Sequence, residues 1–181
     1  NVAALYEPGS VLKAMTVAAA LEAKVILATD TYDDRGSIVV GEQEVKNSDQ
    51  RAHGITTMTE LLAYSRNVGA AHVASLLGPT RFYEMFRRFG FGEQTGVDLV
   101  GEERGVMRVP GDPLWHMSDL GRNSYGQGIA VTPLQVAAAY GALANNGVLM
   151  RPYMVAEIER DGSVARVAPL PVRQVVSPDV A

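Results

Sequence analysis

Ser10 and Lys13 stand three residues apart in Glu7-Pro8-Gly9-Ser10-Val11-Leu12-Lys13, immediately after a Pro-Gly breaker pair. On a helix that spacing puts hydroxyl and amine on one face, a turn apart. A serine at a helix mouth sits where free backbone N–H groups can meet a developing oxyanion, and an amine one turn deeper can serve as its base. The amine must first lose its proton. With an ordinary pKa near 10.4, only roughly one lysine in a few thousand is neutral at pH 7. The helix dipole repels the ammonium by about 1–2 kcal/mol at most, so desolvation by the run Ala14-Met15-Thr16-Val17-Ala18-Ala19-Ala20-Leu21 must supply the rest. A bare Ser-x-x-Lys is more often an N-cap serine followed by a lysine reaching for water.

A second chemical stretch is Ser65-Arg66-Asn67, which interrupts an otherwise helical pattern. A hydroxyl on such a turn can pass a proton between base and leaving group, and a carboxamide can hold a peptide's carbonyl and N–H together. Taken alone, it reads more readily as a solvated polar turn.

Other residues offer less. His53, His72 and His116 share no metal-ligand spacing. Residues 121–128 are glycine-rich but carry no lysine and follow no strand, unlike a phosphate loop. Asp33-Asp34 and Glu102-Glu103 are adjacent pairs whose side chains should diverge into solvent. Trp115, beside His116, reads as a loop anchor before a cleft wall.

The elements that must position these groups follow from periodicity. Residues 11–23 predict a first helix, apolar nearly all round. Residues 30–36 are polar and turn-rich; 37–40 and 43–45 predict a short hairpin, and 47–54 a surface loop. Thr57-Met58-Thr59-Glu60 is a capping-box signature for a helix to about residue 64. Further helices are predicted over 68–77 and 81–89, then a long irregular stretch over 92–128. Thr132-Pro133 opens a helix to residue 144, and Asp161-Gly162 joins a hairpin of 153–160 with 163–167.

The 181 residues suit one domain with a real core, being 47% hydrophobic and 20% charged. A net charge of −4 without a Lys/Arg block argues against a nucleic-acid surface. No cysteine is present, which removes disulfides, thiolate metal sites and a thiol nucleophile. No signal peptide or transmembrane run is visible, and without an initiator Met the chain reads as a fragment whose anchor lies upstream.

Taken together the stretches resemble a known family. The Ser-x-x-Lys and Ser-x-Asn elements are followed by Phe89-Gly90-Phe91-Gly92 with Thr95-Gly96-Val97, then Gly101-Glu102-Glu103-Arg104-Gly105. Tyr125-Gly126-Gln127-Gly128 with Ile129 to Gln135 completes the series. In this order they resemble the class B penicillin-binding proteins, monofunctional peptidoglycan D,D-transpeptidases. Val68-Gly69, Ala139-Tyr140 and Ala144-Asn145 look more like the division branch than the elongation branch. The resemblance covers residues 6–176 and implies an α/β (α+β) fold of the penicillin-binding protein transpeptidase/β-lactamase-like type, a helical subdomain plus part of an antiparallel sheet, truncated at both ends. Residues 1–181 would then be a partial transpeptidase domain, because its Lys-Thr-Gly strand is absent from the sequence.

The same resemblance implies that Ser10 is the nucleophile, Lys13 the base, Ser65 the proton relay and Asn67 the group that orients the stem-peptide amide. Arg66 stands where relatives often have a small polar residue, at a position that need not touch substrate. It implies no metal or cofactor. The implied partners are peptidoglycan stem peptides, β-lactam antibiotics, a membrane-bound glycosyltransferase and division proteins, met on the extracytoplasmic face of the bacterial membrane. A β-lactam-sensing or hydrolysing domain of the same fold, and a non-catalytic scaffold, are the alternatives. Without the third element, these residues alone are expected to be catalytically crippled, and the first helix to expose an apolar face.

Overall fold

The apolar run after Pro8 folds as a 3-10 turn, Gly9–Leu12, that passes directly into α1, Lys13–Glu22. The computed structural model describes residues 1–181. Met15 to Ala20 of α1 are all buried, and the reason is that the helix has a core on each side. Leu12, Met15, Ala18 and Ala19 join a large cluster with Phe82, Phe86, Phe89 and Phe91. Val17 and Ala20 face a smaller cluster of Tyr32, Met58, Leu61, Val68 and Val73. The expected bare apolar face does not exist: the helices over Asn67–Leu77 and Pro79–Arg88 pack on it, and Tyr32 adds to the cover.

Thr57 forms the predicted capping box with Glu60 and opens α2, Met58–Ala63. A short break follows, then α3, Asn67–Leu77. Gly78 ends α3, and Pro79 at once begins α4, Pro79–Arg88, two residues earlier than the apolar spacing suggests, because proline tolerates a first-turn position. Phe82 and Phe86 on α4 stack with ring centroids 4.1 Å apart. Helix α6, Pro133–Ala144, begins with a capping box of Thr132 with Gln135.

The strands form four antiparallel pairs. The predicted hairpins are β2, Ser37–Val40, with β3, Gln43–Lys46, and β6, Glu157–Arg160, with β7, Ser163–Arg166. Two pairs escaped the sequence reading. The polar stretch 31–34 is a strand, β1 (Thr31–Asp34), paired with β4 (Gly54–Thr57), so 30–36 is not simply turn and 47–54 is not simply loop. Tyr32 and Asp34 point inward from β1 while Thr31 and Asp33 stay exposed, a period-2 pattern hidden by its polar residues. The other missed pair is β5 (Val148–Met150) with β8 (Pro171–Gln174), which closes the end of the chain and leads into the buried Val175 and Val176.

Within 92–128, expected to be irregular throughout, lies a two-turn helix, α5 (Met117–Asn123), packed on α3 and on β2 and β3. Its glycine, Gly121, concealed it: a Cβ there would come within 3.1–3.3 Å of the Val40 and Val45 side chains. No helix is long and apolar enough to cross a membrane.

Candidate active site

The turn that carries Ser10 is held from far along the chain. Gly9 donates its N–H to Gly126 O at 2.9 Å, Tyr6 and Val131 exchange backbone hydrogen bonds, and Glu7 Oε1 accepts from Gly128 N–H. Gly9 has φ +63°, which only glycine adopts freely. At Gly126 the need is for space: a Cβ there would lie 2.1 Å from Gly9 O. The Tyr125-Gly126-Gln127-Gly128 stretch thus works as a cradle under the turn. Inside the turn Ser10 is exposed and does not act as an N-cap; its carbonyl accepts from Lys13 N–H. Tyr140 on α6 ties the same turn by donating to Val11 O at 2.8 Å.

Lys13 is only 2% exposed. Its amine does not snorkel; Nζ donates to Ser65 O at 2.5 Å, to Ser65 Oγ at 2.9 Å and to Asn67 Oδ1 at 2.7 Å. None of the three bonds goes to Ser10. Burial, with a smaller contribution from the Arg66 charge, pushes the Lys13 amine down to about 8. At that value about a tenth of the amine is neutral at pH 7, against one part in a few thousand for an ordinary lysine.

The partners are chemically unequal. Ser65 O and Asn67 Oδ1 can only accept, whereas a hydroxyl can also donate. When Lys13 is an ammonium, all three acceptors are used. When it is neutral, the lone pair needs a donor, and of the three only Ser65 Oγ can reverse its hydrogen bond. Ser65 is therefore the contact that fits either protonation state.

Ser65 and Asn67 are brought to Lys13 by the break between α2 and α3. Ser65 has φ +56°, a left-handed conformation that costs a non-glycine residue about 1–2 kcal/mol. Backbone bonds from Ser65 N–H to Leu62 O and Arg66 N–H to Leu61 O, with Lys13 on its carbonyl and hydroxyl, hold it there. Asn67 opens α3 and bridges two elements, its Nδ2 donating to Lys46 O at 3.0 Å.

Beneath this turn lies a polar support that the sequence did not betray. Asp34, read as solvated, is fully buried; it accepts from Asn47 Nδ2 at both oxygens and from Gly36 N–H. Asn47, read as part of a surface loop, then accepts from Val68 N–H, fixing the start of α3. Glu102 is likewise not free in solvent, for its carboxylate clasps the N–H groups of Thr95 and Gly96. Trp115 is an anchor as expected, donating Nε1–H to Tyr83 Oη at 3.0 Å. The histidines lie apart: His72 stacks on Tyr32, His53 sits beside Asp49, and His116 precedes α5.

With this geometry in place, the comparisons with known proteins decide the family. The model of the penicillin binding protein transpeptidase domain matches residues 1–181. The chain belongs to that family. It is 38% identical to penicillin-binding protein PbpB of Mycolicibacterium smegmatis, across 100% of this chain and 28% of that protein. It is 35% identical to stage V sporulation protein D of Bacillus subtilis, across 97% of this chain and 28% of the other. Peptidoglycan D,D-transpeptidase FtsI of Escherichia coli is 30% identical over 91% of this chain and 27% of its own length. Among solved structures, penicillin binding protein 3 of Mycobacterium tuberculosis in complex with aztreonam matches with a TM-score of 0.88 at 34% identity, covering 99% of this chain and 40% of that one. The class B resemblance and the α+β transpeptidase fold therefore stand. The chain spans little more than a quarter of the curated relatives just described.

Proposed function

We propose that this chain carries the acylation centre of a serine-type peptidoglycan D,D-transpeptidase, in which Ser10 is the nucleophile, Lys13 the base, Ser65 the proton relay and Asn67 the substrate-orienting amide. The observation that carries the reading is the buried Lys13 amine, pinned between Ser65 and Asn67 one turn after an exposed serine.

Ser10 Oγ attacks the penultimate carbonyl carbon of a D-alanyl-D-alanine stem, forming the C–O bond as its proton passes to neutral Lys13. Collapse of the tetrahedral adduct breaks the C–N bond. The departing D-alanine nitrogen takes a proton from Ser65 Oγ, which is refilled from the Lys13 ammonium. An amine on a neighbouring stem then attacks the ester, makes the new amide and returns Ser10 to its hydroxyl form. Dividing the transfer keeps the activated acyl group on the enzyme between the two peptides. A β-lactam acylates the same serine but leaves no small amine to depart, so the ester persists. The solved relative in complex with ampicillin supports a β-lactam as a ligand of this fold.

The 181 residues contain no Lys-Thr-Gly triplet, and the principal cavities are lined by residues other than Ser10, Lys13, Ser65 and Asn67. In this proposal the longer protein supplies that element, with a cation for the substrate carboxylate and a further oxyanion donor. The reading also keeps the division branch, septal cross-linking on the extracytoplasmic face of the membrane, and a glycosyltransferase and division proteins as partners; similarity to proteins named FtsI supports it.

The test uses the full-length protein and labelled penicillin. Intact mass should rise by one equivalent, with the label on the peptide carrying Ser10, and Ser10→Ala should abolish it. Label that survives Ser10→Ala refutes the assignment. Rapid loss of the label would favour a β-lactam-hydrolysing domain, and a stable folded protein that takes no label would favour a scaffold.

A further inference from the structure

Arg66, the middle residue of the second element, stands by the family resemblance at a position that need not touch substrate. In the structure it has a fixed place. Its side chain is 15% exposed, Nη1 donates to Asp49 Oδ2 at 2.9 Å, and the same nitrogen lies 2.6 Å from His53 Nε2. The guanidinium carbon stands 5.3 Å from the centre of the Tyr64 ring, within cation–π reach. Asp49 holds its proton less tightly than an ordinary aspartate, first through the Arg51 N–H and then through Arg66 and His53, so it meets the guanidinium as a carboxylate. A guanidinium never deprotonates in a protein. A permanent cation is thus built in between the two residues that hold Lys13.

We propose that Arg66 is a positioning residue for this site: clamped by Asp49, His53 and Tyr64, it keeps the Ser65 turn closed on Lys13 and sets a fixed positive charge near the amine. The inference rests on the transpeptidase reading, in which Lys13 must act in its neutral form.

Three observations converge on it. Ser65 is held in a conformation it would not choose, and Arg66 is its next residue, anchored to a different part of the chain. Asn67 on the other side is anchored to β3 through Lys46 O. The charge also acts on its surroundings: Arg66 disfavours the Lys13 ammonium and favours the ionised forms of Asp49 and Glu60. The other charged or titratable groups around the turn are His53, Tyr32 and Asp34 of β1, and Lys46 of β3, whose amine turns away to Glu44 at 3.1 Å. Asp49 is the compensating charge in direct contact with Arg66, which gives the cluster a testable sign.

In the full-length protein a 13Cε-lysine NMR titration follows Lys13, its resonance assigned by its loss in Lys13→Met. Arg66→Gln removes the cation, and the Lys13 midpoint should rise by several tenths of a unit up to about one unit. Asp49→Asn keeps the cation but removes its compensating charge, so the midpoint should fall. A cluster that merely seals the turn from water would move both upward, because either substitution would hydrate the amine. Arg66→Lys keeps the charge and loses the planar clamp; in the full-length protein it should leave the pH dependence of penicillin acylation in place while slowing acylation by about tenfold. An unmoved Lys13 midpoint in Arg66→Gln, or a rise in Asp49→Asn, overturns the inference. Should Arg66→Gln fail to fold, the sign in Asp49→Asn decides alone. If Ser10 takes no acyl group while the two midpoints move as expected, the transpeptidase reading fails and the role of Arg66 toward Lys13 stands.

Discussion

Replacing Lys13 by Met removes a titrating amine but keeps an unbranched apolar stem of similar length in the core between α1 and α3. In the wild-type chain the amine is held down to about 8 by burial first and Arg66 second, while in the unfolded chain it returns to the ordinary 10.5. Between those values the unfolded state binds more protons than the folded one, so stability must rise with pH. The full separation would be worth a little over 3 kcal/mol at about 1.4 kcal/mol per unit; with relaxation and water entry, about 1–3 kcal/mol is the expected gain. Below pH 8 both states carry the proton and the gain is absent. Above about pH 10 the trend reverses, because burial raises the phenol of Tyr83 to about 12 and that of Tyr32 further, so unfolding then releases protons. Urea unfolding of wild type and Lys13→Met at half-unit steps from pH 6.5 to 10 measures this. Wild type should gain 1–3 kcal/mol across pH 8–10, as order of magnitude, while the variant stays flat. Lys13→Met also leaves Ser65 O and Asn67 Oδ1 without a donor, so its curve lies lower throughout. Parallel curves would refute the account of Lys13 as a buried amine of depressed pKa.

Asn67→Ala removes both the acceptor for Lys13 and the bond to Lys46 O, so it should cost about 1–3 kcal/mol in denaturant melts, more than the polar turn seen in the sequence would suggest. Peptide cross-linking by the full-length protein should fall further than this stability loss explains. Gly126→Ala places a methyl against Gly9 O and strains φ at +80°, so it should displace the Ser10 turn and cut penicillin acylation at least tenfold; near wild-type acylation would show the cradle to be dispensable.

How far the site was legible depended on where its physics lay. Ser10, Lys13, Ser65 and Asn67 were singled out only by the family resemblance, since each stretch alone reads as a cap or a polar turn, whereas α2 was legible from its local capping box and α6 from Thr132-Pro133. β1 was missed because Asp33 and Asp34 look solvated; only the fold shows that Asp34 is buried against Asn47, a partner thirteen residues away in another strand's loop. α5 was missed because Gly121 mimics loop composition while meeting a packing demand from Val40 and Val45. The burial of Lys13 was anticipated but credited to α1's own alanines, whereas Arg66 supplies part of the shift from another segment. The first helix was expected to miss a sheet, and instead it lies between two clusters that these residues themselves provide.

The cradle under the Ser10 turn also sets an order of events in time. Gly128 is 121 residues beyond Glu7, and Gly126 and Val131 are similarly remote from their partners. Contacts of such long range close late, after more local pairings have formed. At about 5–20 residues per second, a ribosome needs roughly 6–24 s after making Glu7 to reach Gly128. Until then Gly9 has no carbonyl to bind, and Ser10 rides on an unanchored turn. The residue with the most reactive role in the proposal is thus made well before the segment that puts it in position, and over that interval the nascent chain has no assembled nucleophile.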